Sequence, residues 1–258
     1  MKPSVNIFWF RRDLRLDDNK GLQFALRSGL PVVPLYIFDS DTMDQIEEKS
    51  DRRVWFIHST LQALQARLRE MDSALEIYQG QVCDIFRKLA GKYDIQSVFI
   101  NTDYEPSSTL RDMQVEQLLK ASGIVLNRYK DLVIFEKSEV VKQDGQPYTV
   151  FTPYCKRWKL QVTPMHLAAF PTAHLTAQFY RQPAQEVPTL ASLGFKGASF
   201  IIPGVQDGKA RIASYGATRD FPALLGTTAS DCICVLGPSA YGSSSLLPSA
   251  KARPTLTN

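Results

Sequence analysis

Five short runs of β-branched and aromatic residues, at 5–10, 32–38, 74–78, 97–100 and 124–129, punctuate the first half of the chain. Each reads as a short buried strand. Between them the apolar residues fall at helical spacing. The plainest case is 53–71, where Val54, Ile57, Leu61, Leu64 and Leu68 recur at intervals of three and four with Gln, Arg and Glu opposite, as in a helix with one buried stripe. Further helices are predicted over 22–27, 82–93 and 110–122, the last stopped by Gly123, a residue that ends helices cheaply. Alternation of this kind predicts an α/β fold, a doubly wound five-stranded parallel sheet covered on both faces and wound by right-handed crossovers.

The pattern then fades. From 163 to 204 the chain turns to Pro, Ala and Gln with few periodic apolar residues, which reads as a long connector. After Leu225, glycines, serines and prolines follow one another without an amphipathic period, and no continuing core is predicted there.

Composition narrows the class. The chain has 258 residues, 44% hydrophobic and 22% charged, with a formal charge of +4. It is therefore neither disordered nor membrane-spanning by composition, and the mild basic excess permits a polyanionic partner without requiring one. Cys83, Cys155, Cys232 and Cys234 form no disulfide or zinc framework. With no apolar leader, the expectation is a soluble, cytoplasmic, monomeric protein of a reducing compartment.

Three segments could carry chemistry. Residues 8–19, Phe-Trp-Phe-Arg-Arg-Asp-Leu-Arg-Leu-Asp-Asp-Asn, place three arginines and three aspartates directly after the first strand. That is the carboxyl edge, where doubly wound sheets bind ligands. The alternative is a salt-bridged loop whose Asp17 or Asp18 caps the next helix. Residues 101–106, Asn-Thr-Asp-Tyr-Glu-Pro, follow the fourth strand on the same edge; they could hold a planar ligand, or form a turn with Pro106 near the first position of a helix. Residues 148–159 interleave aromatics with Lys and Arg, suited either to stacking on bases or to an amphipathic surface helix.

Other readings fall away. There is no G-x-G-x-x-G and no G-x-x-x-x-G-K turn, so neither a dinucleotide fingerprint nor a P-loop is present. His58, His166 and His174 share no ligand spacing, and His58 inside the 53–71 helix reads as a packed histidine.

Taken together these segments resemble the photolyase/cryptochrome family. Trp9-Phe10-Arg11-Arg12-Asp13-Leu14-Arg15-Leu16-Asp17-Asp18-Asn19 is similar to its amino-terminal signature, Phe151-Thr152-Pro153-Tyr154 through Trp158 to a second landmark, and Tyr215-Gly216-Ala217-Thr218-Arg219-Asp220-Phe221 through Thr228 to a third. The resemblance implies a Rossmann-like antenna domain over 1–135, an interdomain connector over 136–204 and the start of a helical FAD-binding domain over 205–228. It implies FAD contacts at Tyr215, Thr227 and Thr228, a DNA-backbone contact at Arg219, and antenna-pigment contacts at Asn101, Tyr104 and Glu105.

The implied activity is that of deoxyribodipyrimidine photolyase: light-driven repair of pyrimidine dimers in damaged DNA with FAD. A cryptochrome-type blue-light photoreceptor shares the same motifs, and a nucleotide-binding module of similar fold is a further alternative. Ser107 and Ser108 stand where folate-binding members carry an Asn-Glu pair, a departure that argues against folate and leaves a flavin, a deazaflavin or no antenna pigment.

The resemblance breaks off after Thr228. Read one base earlier, codons for Asp231 to Gly242 permit Arg-Leu-His-Leu-Arg-Phe-Gly-Thr-Val-Ser-Ile-Arg, a string similar to what the family carries next. The expectation is a frame change between 228 and 231, with 229–258 an out-of-frame, disordered tail. A chain so shortened lacks most of the FAD and substrate pocket and is expected to be inactive alone.

Overall fold

Five strands, β1 (Ser4–Phe10), β2 (Val32–Asp39), β3 (Glu76–Gly80), β4 (Asp94–Asn101) and β5 (Val125–Tyr129), form one sheet in the order β3-β2-β1-β4-β5. Every pairing is parallel. The computed structural model describes residues 2–197 apart from residue 184.

The central strands are near-continuous apolar runs because both faces are covered. Phe8 and Phe10 of β1 point to one face with Tyr36 and Phe38 of β2, while Val5, Ile7 and Trp9 point to the other with Val33, Leu35 and Ile37. On the first face lie α1 (Lys20–Leu26) and α3 (Arg52–Arg69); on the second lie α4 (Val82–Lys92) and α5 (Pro106–Ala121). A single turn, α2 (Ser40–Met43), follows β2.

Helix ends follow local chemistry, with two corrections to the sequence reading. The cap of α1 is Asn19, whose Oδ1 accepts from the Leu22 N–H at 3.1 Å. Asp17 and Asp18 instead accept from the backbone N–H groups of Thr172 and Phe170. α5 begins at Pro106, where the turn reading of 101–106 places a helix start, and a full turn before the start that apolar spacing gives. Its inward face there is polar, with Ser108 and Asp112 buried while Leu110 and Met113 are exposed, so hydrophobic period could not reveal it. Gly123 adopts φ +74° after α5, as a helix-ending glycine can.

The stretch after β5 carries α6 (Phe151–Gln161) and short 3-10 turns at Pro164–Leu167 and Ala173–Gln178. Its later part is fastened to the sheet domain. Tyr180 N–H donates to Val32 O at 2.8 Å and Ser73 Oγ to Tyr180 O at 2.8 Å. Gln65 Nε2 donates to Gln185 O, and His58 Nε2 meets Pro188 O at 2.8 Å. Phe179, Leu193 and Phe195 are buried in the first-face core. The reading of 163–204 as loosely patterned thus missed docking by isolated large side chains, which leave no periodic trace. His58 is a packed histidine, as its helical position suggested.

Candidate functional site

Sheet order reverses direction between β1 and β4, so the loops leaving their carboxyl ends face each other across the crevice where such folds bind ligands. The loop after β1 carries residues 11–19 and the loop after β4 carries 102–105. The structure brings these two sequence-flagged segments together.

Asn101 is the hub. Its Nδ2 donates to Asp13 Oδ2 at 2.6 Å and to Asn19 Oδ1 at 2.8 Å, and its Oδ1 accepts from Gly21 N–H at 2.9 Å. Both amide hydrogens are committed. Asp13 also accepts from the Arg11 N–H at 2.8 Å, so one buried amide fixes the loop after β1 and the start of α1. Gly21 is required by this approach, since a Cβ there would lie 2.6 Å from Asn101 Oδ1 and 3.0 Å from the Phe8 ring.

Arginines radiate from the loop into carboxylates. Arg11 Nη1 bonds both oxygens of Asp112, at 2.7 and 2.5 Å, with both side chains buried. The Arg11 and Arg111 guanidinium carbons lie 5.3 and 5.2 Å from the centroid of the buried Trp9 ring. Arg15 pairs with Asp131, whose other oxygen accepts from Lys20 N–H at 3.1 Å. Arg12, more than half exposed, reaches Asp103 at 3.3 Å and Glu105 at 2.5 Å. Tyr104 donates to Glu136 at 2.9 Å.

Electrostatics follow these contacts. Burial works against the Asp103 carboxylate, but the Glu105 N–H, the Arg12 charge, Ser108 and Arg11 outweigh it and hold its pKa below the ordinary aspartate value. The hydrogen bond to Glu105 raises Arg12. Burial, then the bond to Glu136 and neighbouring carboxylates, raises Tyr104. A carboxyl lowered on folding contributes stability that is present above its unfolded pKa and lost as pH falls through the folded one. Urea midpoints are therefore expected to fall as pH drops below about 4, and to fall less steeply in Asp103→Asn; parallel slopes for the two proteins would contradict the assignment.

The crevice between the loops is lined by Arg11, Arg12, Asp13, Asn101, Asp103 and Leu132 and spans about 170 Å³, part of it open to solvent. Sites that bury a drug-sized ligand run to roughly 300–1,000 Å³, so these six side chains do not by themselves enclose a complete pigment. Of the antenna candidates, Asn101 is spent on positioning, while Tyr104 and Glu105 face outward. Tyr215, Arg219, Thr227 and Thr228 lie outside the described residues.

The aromatic-basic segment 148–159 overlaps the surface helix α6, none of whose residues is buried. Asp112 and Asp131, which hold Arg11 and Arg15, escaped the sequence reading. No local signal marks them, because their partners lie 101 and 116 positions away. Among the described residues no group of three or more His, Cys, Asp or Glu could hold a metal, and no helix is long and apolar enough to cross a membrane.

Comparison with known proteins agrees with this geometry. A family model for DNA photolyase matches residues 6–175. A deoxyribodipyrimidine photo-lyase of Synechococcus sp. (strain ATCC 27144) is 33% identical over 86% of this chain and 49% of its own length. An uncharacterized 31.6 kDa protein in the atpI 5′ region of Synechococcus sp. (strain PCC 6716) is 30% identical over 88% of this chain and 83% of its own. Among solved structures, a bacterial class III photolyase from Agrobacterium tumefaciens superposes with a TM-score of 0.71 at 23% identity, covering 95% of this chain and 56% of that one. The chain thus spans about half the length of the photo-lyase relatives it matches.

Proposed function

The chain belongs to the DNA photolyase family, and on that premise we propose that it is the amino-terminal half of a light-driven enzyme that splits pyrimidine dimers in damaged DNA. The observation that carries this reading is the family match over 6–175, which includes the loop 11–19 built into the sheet's carboxyl edge.

When bound, FAD supplies the light-excited electron that opens the dimer; the protein's part in such chemistry is position, shielding and electrostatics. Here the described half builds a rigid scaffold. Asn101 and Arg11 lock the loop after β1, and the later connector holds the first-face helices. We assign FAD contacts to Tyr215, Thr227 and Thr228, whose hydroxyls suit a flavin and its diphosphate, and a DNA phosphate contact to Arg219. At the carboxyl edge, Tyr104 and Glu105 are the antenna candidates with outward side chains.

The 258 residues cover about half of the photo-lyase relatives, and cofactor affinity comes from burying the flavin across many convergent groups. The purified chain is expected to show no stoichiometric flavin absorption and no light-dependent repair of dimer-containing oligonucleotide. A full flavin band with repair would overturn the reading of this chain as half a site. We further propose that 229–258 is read out of frame, which resequencing the gene tests directly: an in-frame continuation without a helical flavin domain in any frame refutes it.

A further inference from the structure

Among the described residues, Asp18 and Asp72 are the two non-glycine residues with positive φ, at 47° and 55°. Such residues persist in the left-handed region where their surroundings hold them there. Both give an oxygen to one distant stretch of chain. Asp18 Oδ1 accepts from Phe170 N–H at 2.9 Å, and Asp72 O accepts from Gln182 N–H at 3.2 Å.

That stretch is fixed at its ends and loose between them. At the far end Phe179 is buried, Ser73 Oγ donates to Tyr180 O at 2.8 Å, and Gln182 Nε2 donates to Ala74 O at 2.8 Å. The intervening turn, Ala173–Gln178, has no buried residue. At the near end Thr172 is buried again. Its Oγ1 donates to Leu16 O and its N–H to Asp17 Oδ1 at 3.4 Å. With the Phe170 bond to Asp18, the near end thus engages consecutive residues of the loop after β1, while Gln23 Nε2 of α1 donates to Pro171 O at 2.7 Å.

Asp18 relays this docking. Its side chain faces the connector, and its carbonyl accepts from Arg15 Nε at 3.1 Å and Nη2 at 2.8 Å. Arg15 in turn pairs with Asp131, and Asn19 Nδ2 ties the turn to Asp13 O at 3.3 Å and Arg15 O at 3.2 Å. The inner half of the loop has separate fastenings, through Asn101 and Asp112. Only the outer half depends on the connector.

We propose that residues 170–172 are a clasp that pivots on Phe179 and closes on Leu16–Asp18, so that docking of the connector sets the shape of the loop bordering the crevice. Closed, it holds Asp18 left-handed with its carbonyl on Arg15. Open, Asp18 returns to negative φ, Arg15 loses that acceptor, and the crevice wall loosens on the α1 side. The clasp and the outer loop therefore open as one unit, at a lower free energy than the sheet.

Hydrogen exchange of the full chain across low urea tests this, read at single amides. Phe170, Arg15 and Lys20, whose N–H groups bond Asp18, Asp13 and Asp131, are expected to share one opening isotherm, with Tyr180 and the β1 and β4 amides more protected. Thr172→Val keeps the side-chain shape and removes the bond to Leu16 O; it should speed all three amides by a common factor of about tenfold or more. Asp18→Ala should do the same. Asp18→Asn keeps an acceptor oxygen and tolerates the left-handed region, and should stay within about threefold of the native rates.

Separate isotherms for Phe170 and Arg15 in the native protein overturn the proposal without any variant. So does Thr172→Val if it accelerates nothing, or accelerates Phe170 while Arg15 and Lys20 keep their native rates. Equal acceleration of Tyr180 would mean that the whole connector lifts, and equal acceleration of the β1 and β4 amides would mean global destabilisation; either refutes a clasp.

Discussion

Asn101→Asp is expected to destabilise the chain by about 3–5 kcal/mol at neutral pH, the range for an uncompensated buried charge, although the side chains have nearly the same shape. The native amide donates to Asp13 and Asn19 while accepting from Gly21 N–H. A carboxylate keeps the acceptance and loses both donations. It also meets the Asp13 oxygen, 2.6 Å from the atom it replaces, so two buried acceptors confront each other. The variant can relieve this by holding a proton, which raises its folded pKa. Stability from a raised acid is present below the unfolded pKa and lost as pH rises through the folded value. The deficit should therefore shrink between neutrality and about pH 4. Urea unfolding of both proteins across that interval is the measurement, and a deficit independent of pH would show that Asn101 is not the hub described. Asn101→Ala separates the charge effect from loss of the hydrogen bonds, because it leaves Gly21 N–H unpaired without adding a carboxylate.

Arg11→Ala should cost a comparable ~3–5 kcal/mol, since removing one partner of a buried pair strands the other. Asp112 would keep Arg111 Nη2, 3.6 Å away, which places the loss toward the lower end. Arg11→Met combined with Asp112→Leu is expected to recover most of the stability, because replacing both charges removes the desolvation cost along with the attraction. Urea unfolding of the two single variants and the pair gives the coupling. If the double variant is as unstable as the sum of the singles, the ion pair is not the unit that matters.

How much of this was legible follows the physics of each element. The strands announced themselves because both faces of the sheet are buried and their residues form near-continuous apolar runs, as at Ile7 to Phe10. α3 and α4 were visible through their one-sided stripes. α5 was not, over its first turn, because its inward residues there belong to an ionic network and Leu110 is left outside. Strand order cannot be read from alternation alone, since several windings satisfy it. At the site, the loop after β1 and the segment 101–106 were both singled out, and their meeting is a consequence of β1 lying beside β4. The identity of the partners was hidden: Asp112 and Asp131 are ordinary helix and loop residues until the fold sets them against Arg11 and Arg15. The cap of α1 was misplaced by one or two positions in a run of Asp, Asp and Asn, where every candidate has a suitable oxygen and only tertiary demand for Asp17 and Asp18 elsewhere decides.

Phe170 and Thr172 bond the loop beyond β1, Tyr180 bonds the opposite end of the sheet at Val32, and Lys196 N–H returns to Lys49 O at 2.7 Å, next to where α3 begins. The backbone makes an out-and-back circuit, so its contour is set by two crossings of the sheet and not by the separation between neighbouring units. Excising residues there would not draw a follow-on module closer; it would unlace the circuit.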